Sequence, residues 1–272
     1  MTDLKGFLLK TLLDNGLYAK EKQKDFLSTE IKSDATLVTE IDLKVSDNIN
    51  KVIKEYSILN NLDFSIIDEE KSPNLDNYLN SEYSWIIDPI DGTVNYSLNF
   101  PLWGVSIGLF KNMKPYAGGI YIPVLKILIL TDNEKVYLYN FEDNNLEEYE
   151  PNNRNLSNNV GINYIVNMTN KSNKGFRITE GMVTIMNAAI CNLYFTITGS
   201  SLATIQSVRL WDNAACFSIG NKLGYKAYNI NNQKEIIQID GSIIDTKFQH
   251  KENFVYCKEE NKDKIFSILT AR

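Results

Sequence analysis

Over residues 4–24, Leu4, Leu8 and Leu12 recur at intervals of four, with Phe7 and Leu13 beside them and a Lys/Glu-rich end. That spacing lays one apolar stripe along a helix and predicts an amphipathic helix there. Val45, Ile49, Val52, Ile53 and Tyr56 follow i, i+4, i+7, i+8, i+11 and predict a second helix over 39–56. Thr39 and Asp42 fit a capping box at its start. The apolar runs then shorten. Phe64–Ile67 reads as a strand entering three acids, Asp68-Glu69-Glu70, and a polar linker with Pro73 follows. Trp85-Ile86-Ile87 ends abruptly in Asp88-Pro89-Ile90-Asp91-Gly92-Thr93, the pattern of a buried strand feeding a shaped loop. Short strands at Trp103–Phe110, Tyr116–Ile122, Ile127–Thr131 and Lys135–Tyr139, separated by turn residues, predict an antiparallel meander.

The second half is less regular. Residues 140–160 are rich in Asn and Glu and read as a surface loop. Ile162–Val166 and Asn192–Thr198 read as strands, with a short helix over Met182–Ala189 between them. A helix is expected over Ser200–Val208, opening after Gly199, and another from Trp211 to about Gly224, a suitable C′ glycine. A strand at Phe254–Cys257 and a charged helix at 259–270 close the chain. Helices mixed with antiparallel strands predict a layered α/β or α+β sandwich.

Composition narrows the chemistry. The chain has 272 residues, enough for one large domain or two closely packed lobes, and 43% are apolar. The net charge of -6 argues against a broad nucleic-acid surface. No apolar stretch is long enough to span a bilayer, and the N-terminus lacks the pattern of a secretory signal, so a cytoplasmic protein is expected. Cys191, Cys216 and Cys257 are widely spaced, odd in number and without a C-x-x-C pair, as expected of reduced core thiols. His250 is the one histidine, in a polar stretch that reads as a surface loop. One histidine cannot build a His₃ or His₂Glu zinc site, and no serine lies in G-x-S-x-G. Hydrolytic chemistry would then run on carboxylates, hydroxyls and a hard metal ion.

Four acidic positions stand at strand ends or helix starts: Asp42, Glu69, the pair Asp88/Asp91, and Asp212. Such ends gather at one face of a layered sheet, and magnesium takes a few carboxylates, waters and substrate phosphate. Each acid also has a plain alternative. Asp68-Glu69-Glu70 suits a solvated turn, Asp212 a helix start, and Asp88–Gly92 a turn whose aspartates bond their own backbone. An apolar strand ending in D-G-T also suits a haloacid-dehalogenase phosphatase, but those need aspartates at i and i+2, and the residue two before Asp91 is Pro89.

The nine residues Asp88-Pro89-Ile90-Asp91-Gly92-Thr93-Val94-Asn95-Tyr96 resemble the D-P-[IL]-D-G-T-x-N-[FY] signature of the inositol monophosphatase family, within the lithium-sensitive, Mg²⁺-dependent phosphatase superfamily. In family order, Val38–Asp42 resembles V-T-x-x-D, Asp68-Glu69-Glu70 resembles G-E-E with aspartate in place of glycine, and Trp211–Ala215 resembles W-D-x-A-A. Phe100-Pro101 with Val105–Leu109, and Gly119–Pro123, resemble the intervening segments. The resemblance implies a layered α-β-α-β-α sandwich of the inositol monophosphatase / fructose-1,6-bisphosphatase type. It implies a single domain over residues 1–272, with a metal-site lobe at about 1–140 and a substrate lobe at about 160–272. It implies two or three Mg²⁺ ions on Glu69, Asp88, the Ile90 carbonyl, Asp91 and Asp212. Asp42, Thr93 and Glu69 would be the catalytic set, with Thr93 and Asp42 orienting or deprotonating the water and Glu70 behind Glu69. Gly92, Thr93, Gly199 and Ser200 would bind substrate, the last two as a G-S-x turn at a helix start.

The implied reaction is direct in-line attack of a metal-activated water on a small sugar or polyol phosphate, without a covalent enzyme intermediate. A 3′(2′),5′-bisphosphate nucleotide is the alternative substrate. Lithium sensitivity and a homodimer are also implied. The interval from Gly199 to Asp212 is about half that of the family, where a helix precedes a strand whose end carries a substrate-contacting acid. Here the strand is expected to be missing, and Ile205 stands seven residues before Asp212, where the family's acid is expected. A missing strand would also suit a non-enzymatic regulator that retained the metal site.

Overall fold

The computed structural model describes residues 2–23, 29–31, 37–151, 162–165, 176–181 and 183–271. The expectations for Val166, for residues 152–161 and for the Thr39 side chain lie outside them.

The two N-terminal helices form where the periodicity places them, at Leu4–Lys22 and Glu40–Leu59. The first buries Leu4, Leu8, Leu12 and Ala19; its start is capped by Asp3, whose side chain accepts from the Gly6 amide at 3.0 Å. The second buries Ile41, Val45, Ile49, Ile53 and Tyr56. Both pack on one face of a seven-stranded sheet through Trp85, which is fully buried and donates its indole N–H to Ser57 Oγ at 2.9 Å. Phe7 stacks on Tyr56 beside it, with ring centroids 4.1 Å apart.

The seven strands follow chain order: Phe64–Asp68, Tyr83–Asp91, Gly104–Lys111, Lys114–Ile122, Ile127–Thr131, Val136–Asn140 and Asn145–Glu148. The last lies in the stretch expected to be loop. The first two strands pair in parallel and all others antiparallel, so the expected meander is present. A five-stranded sheet runs in the order Val183–Thr184, Ile162–Ile165, Ala203–Gln206, Phe254–Lys258, Tyr225–Asn229. Helices Ala189–Ile197 and Ala214–Lys222 lie between the sheets, and Lys262–Ser267 covers the outer face of the second through Ile265. These are the five layers α-β-α-β-α.

Three expectations are overturned in the second half. The expected strand Asn192–Thr198 and helix Met182–Ala189 are replaced by a helix at Ala189–Ile197, preceded by a two-residue strand. Its aromatic and β-branched residues favour a strand locally, but Ile190, Leu193 and Ile197 fall on one buried face at helical spacing. The expected helix Ser200–Val208 is a strand at Ala203–Gln206, buried at every position; Ala203-Thr204-Ile205-Gln206 does alternate apolar and polar, but over four residues only. Helix and strand therefore both precede Asp212, and no strand is missing there.

Helix Ala214–Lys222 lies against Gly108 and Gly118. A Cβ at Gly108 would come within 2.7 Å of Ala214 Cβ and 3.0 Å of its backbone. Gly108→Ala is expected to cost about 1–3 kcal/mol by overpacking, measurable in urea melts. An unchanged midpoint would mean that the helix is free to shift.

Candidate active site

The parallel pairing of Phe64–Asp68 with Tyr83–Asp91 brings two acidic strand ends together. Asp68 is in register with Ile87, and the Glu69 amide donates to Ile87 O at 3.2 Å, so Glu69 and Asp88 are neighbours. In a regular strand, residues at i and i+3 face opposite sides. Between Asp88 and Asp91 the register against Gly104–Lys111 shifts by one residue, from Asp88↔Ser106 to Asp91↔Gly104. The bulge re-aims the second aspartate, and Pro89, which has no N–H to pair, suits it. Gly92 follows at φ 86, a left-handed conformation that glycine adopts without strain.

Asp212 arrives from the other half of the chain on the 3₁₀ turn Leu210–Asp212, its Oδ2 accepting the Arg209 amide at 2.8 Å. One carboxylate oxygen from each of Glu69, Asp88 and Asp212 lies within 4.8 Å of the others. Asp91 is buried beside them, its Oδ2 accepting the Ile190 amide at 2.8 Å at the start of helix Ala189–Ile197. Asp42, on helix Glu40–Leu59, is 1% exposed and reaches Thr93. The Thr93 hydroxyl lies 3.3 Å from Asp42 Oδ1 and 3.1 Å from the Ile90 carbonyl.

The electrostatics are those of crowded acids. Both oxygens of Asp88 are buried, and among the described residues no N–H or hydroxyl donates to either; the polar group against them is the Asp212 carboxylate. Burial, then the charges of Glu69, Asp91, Asp212 and Asp42, pushes its carboxyl well above the usual range. Burial lifts Asp91 to about 7 against the opposing pull of the Ile190 and Ala189 amides. Burial, then Asp91, lifts Asp212 to about 7. Four negative charges in so small a volume require protons or a cation. The donors are carboxylate oxygens, which fit a hard divalent ion such as Mg²⁺. Asp88 is the sharpest test of that fit, because a cation would satisfy both of its orphaned oxygens.

The fold thus brings together Asp42, Glu69, Asp88, Ile90, Asp91, Gly92, Thr93 and Asp212. Gly199 and Ser200 are in a different setting. They end a helix where a helix start was expected: Gly199 has φ 78, and the Ser200 and Ser201 amides both donate to Phe195 O, at 2.7 and 3.0 Å. Those amides are engaged in closing the helix, the usual work of a C-terminal glycine turn. The helix start near the carboxylates belongs to Ala189 and Ile190, which the sequence reading missed; the Ile190/Leu193/Ile197 spacing was the available signal.

His250 also departs from expectation. It is 1% exposed, where a surface loop was expected, and Nε2 lies 3.0 Å from Asn213 Nδ2, next to Asp212 in sequence. Backbone bridges from Gln249 to Arg209 and from His250 to Ile244 fold this polar stretch under the Trp211 turn. Burial lowers its pKa to about 4. The three cysteines are buried and unbonded, as expected of core thiols. Among the described residues no helix is long and apolar enough to cross a membrane.

The inositol monophosphatase family model matches residues 6–264. The fructose-1,6-bisphosphatase/inositol-1-monophosphatase of Aquifex aeolicus is 35% identical over 94 residues, 35% of this chain and 33% of that protein. Inositol monophosphatase 1 of Saccharomyces cerevisiae is 36% identical over 109 residues, 39% of this chain and 35% of that protein. These matches span about a third of the length of the curated relatives. Among solved structures, the extragenic suppressor protein suhB of Bartonella henselae superposes with a TM-score of 0.74 over 98% of both chains at 18% identity. An IMPase/NADP phosphatase complexed with Mg²⁺ and phosphate gives a TM-score of 0.70 over 96% of this chain and 91% of that one, at 17% identity. With its model matched along nearly the whole length, the chain belongs to the inositol monophosphatase family.

Proposed function

We propose that this protein is a Mg²⁺-dependent phosphomonoester hydrolase acting on a small sugar or polyol phosphate. The observation that carries this reading is Asp88, buried with no N–H or hydroxyl donor to either oxygen among the described residues and faced by Glu69 and Asp212. Glu69, Asp88, the Ile90 carbonyl, Asp91 and Asp212 would hold two or three ions. When bound, Mg²⁺ neutralises phosphate charge and lowers the pKa of water.

The chain's own residues do the rest. The Ile190 amide holds Asp91 Oδ2 at 2.8 Å and the Ala189 amide also donates to this carboxylate, which fixes it beside the cluster. A Thr93 hydroxyl that donates to Asp42 keeps a lone pair for a proton of the attacking water, so Thr93 and Asp42 form a short relay to a buried carboxylate. Glu69 acts from the turn beside Asp88, with Glu70 behind it. The Gly92 and Thr93 amides, at the start of the single turn Thr93–Ser97, face the phosphate, and glycine permits the close approach. Water attacks phosphorus in line; the new P–O bond forms as the ester P–O bond breaks, and the alkoxide leaves to take up a proton. No enzyme nucleophile is used.

A 3′(2′),5′-bisphosphate nucleotide is the second reading, on the resemblance of Gly199-Ser200-Ser201-Leu202 to that branch. The regulator reading loses its motive, because Ala203–Gln206 supplies the strand it took to be missing. Lithium inhibition and a homodimer are carried by the family resemblance, and a cytoplasmic setting by the three buried, unpaired thiols; they belong to the same proposal.

The test is phosphate release, with and without Mg²⁺, from a panel of polyol, sugar and nucleotide phosphates. Mg²⁺-dependent release from a sugar or polyol phosphate is expected. Silence across the panel from a protein that binds the ion would overturn the reading.

A further inference from the structure

Asp68 stands where the family resemblance has glycine, one residue before Glu69. It is 1% exposed, and its carboxylate is surrounded by donors. Oδ1 accepts the Glu70 amide at 2.8 Å, which closes the Asp68–Lys71 turn on itself together with Lys71 N to Asp68 O at 3.2 Å. Oδ2 accepts the Ser46 hydroxyl at 2.8 Å and the Asn50 amide. Asn50 is itself held by Ser46 O at 2.9 Å. Asp42, Ser46 and Asn50 fall at i, i+4 and i+8 of helix Glu40–Leu59, so they share one face. The helix that presents Asp42 to Thr93 thus grips, one and two turns later, the turn that presents Glu69. A glycine could make none of these side-chain bonds. Lys71 to Asp47, at 2.6 Å, ties the same turn to the same helix, but it is exposed and contributes little.

We propose that the Asp68 carboxylate is a positioning strut for the metal site, fixing the Glu69-Glu70 turn to the helix face that carries Asp42. The inference rests on the metal-dependent reading above. Glu69 occupies a partly exposed turn, and a ligand in such a place binds well only if its backbone is held beforehand. Asp68 touches neither substrate nor ion; it acts through its neighbours.

The test uses the full chain and Mn²⁺ alone, with free Mn²⁺ followed by electron paramagnetic resonance and unfolding followed in EDTA. Asp68→Asn keeps an acceptor for the Glu70 amide but turns an N–H₂ toward the donors of Ser46 and Asn50. Its Mn²⁺ affinity is expected to fall roughly 10-fold, with the EDTA melting point nearly unchanged and KM for the phosphate ester held while kcat falls. Adding Asn50→Asp exchanges donor and acceptor, and this double variant is expected to recover Mn²⁺ affinity to within about 3-fold of wild type. If Asp68→Asn does not fold, Ser46→Ala removes one bond of the strut and is expected to weaken Mn²⁺ about 3-fold. Unchanged Mn²⁺ affinity in Asp68→Asn, or in Ser46→Ala where that variant is the one used, overturns the strut, as does a double variant no better than the single one. A wild-type protein that binds no Mn²⁺ overturns the metal-dependent reading and the strut with it.

Discussion

Asp91→Asn is expected to lower Mg²⁺-dependent phosphate release roughly 1,000-fold, with little loss of folded protein. The asparagine is the same size and keeps an oxygen that can accept the Ile190 amide, the 2.8 Å bond that ties helix Ala189–Ile197 to the first sheet. What disappears is one negative charge in the buried cluster proposed to hold a cation. A bound metal contributes several kcal/mol of charge stabilisation in phosphoryl transfer, and each 1.4 kcal/mol is about tenfold in rate. Steady-state release at saturating Mg²⁺, with circular dichroism to check the fold, measures both halves of the expectation. Full activity in the variant would sink the assignment of Asp91 as a ligand.

The second large effect is on stability against pH. Asp88, Asp91 and Asp212 all have folded-state pKa values above the usual 3.8, the last two at about 7. Between pH ~4 and ~7 the metal-free folded protein must hold protons that the unfolded chain has already released. The contribution of these groups is therefore fully present below the unfolded pKa and is lost as pH rises through the folded one. In EDTA the melting temperature is expected to fall from pH 5 to pH 8. Mg²⁺ binding replaces the protons, so it stabilises most where they are gone. At about 100 times Kd it contributes ~2.7 kcal/mol, or about 5–10 °C at pH 8, and far less at pH 5. A Mg²⁺-induced shift of the same size at both pH values, or one larger at pH 5, would show that these carboxylates do not take up the ion.

The metal half of this site was legible because its residues lie in short runs whose chemistry is local. Asp88–Thr93 announces a strand end, a glycine turn and two acids, and the Val45/Ile49/Val52/Ile53/Tyr56 stripe fixes which face of the second helix is buried. The bulge that makes Asp88 and Asp91 serve one site was not legible, since it exists only as a register shift against Gly104–Lys111. Nor was the second half of the site. Ala189–Ile197 and Ala203–Gln206 are buried almost throughout, so their polar residues Asn192, Thr196, Thr204 and Gln206 mark no solvent face; the helical spacing of Ile190, Leu193 and Ile197 and the alternation of Ala203–Gln206 are each too short to outweigh local propensity. His250 failed for the opposite reason. Its neighbours in sequence are polar, but backbone bridges carry it inward. Ser46 and Asn50 stand in the sequence as polar positions on the Asp42 face; their partner Asp68 is marked there only by taking the place of the family's glycine.

The bond between Asp91 and Ile190 spans 99 residues, and Asp212 joins the cluster from farther still. Contacts of such separation form late, after the intervening loops have closed. On the ribosome the first sheet, through Glu148, is synthesised well before Asp212. Its paired strand ends already bring Glu69 beside Asp88, but the set stays open until the second half of the chain docks. Closing the site and closing the fold are therefore one late event.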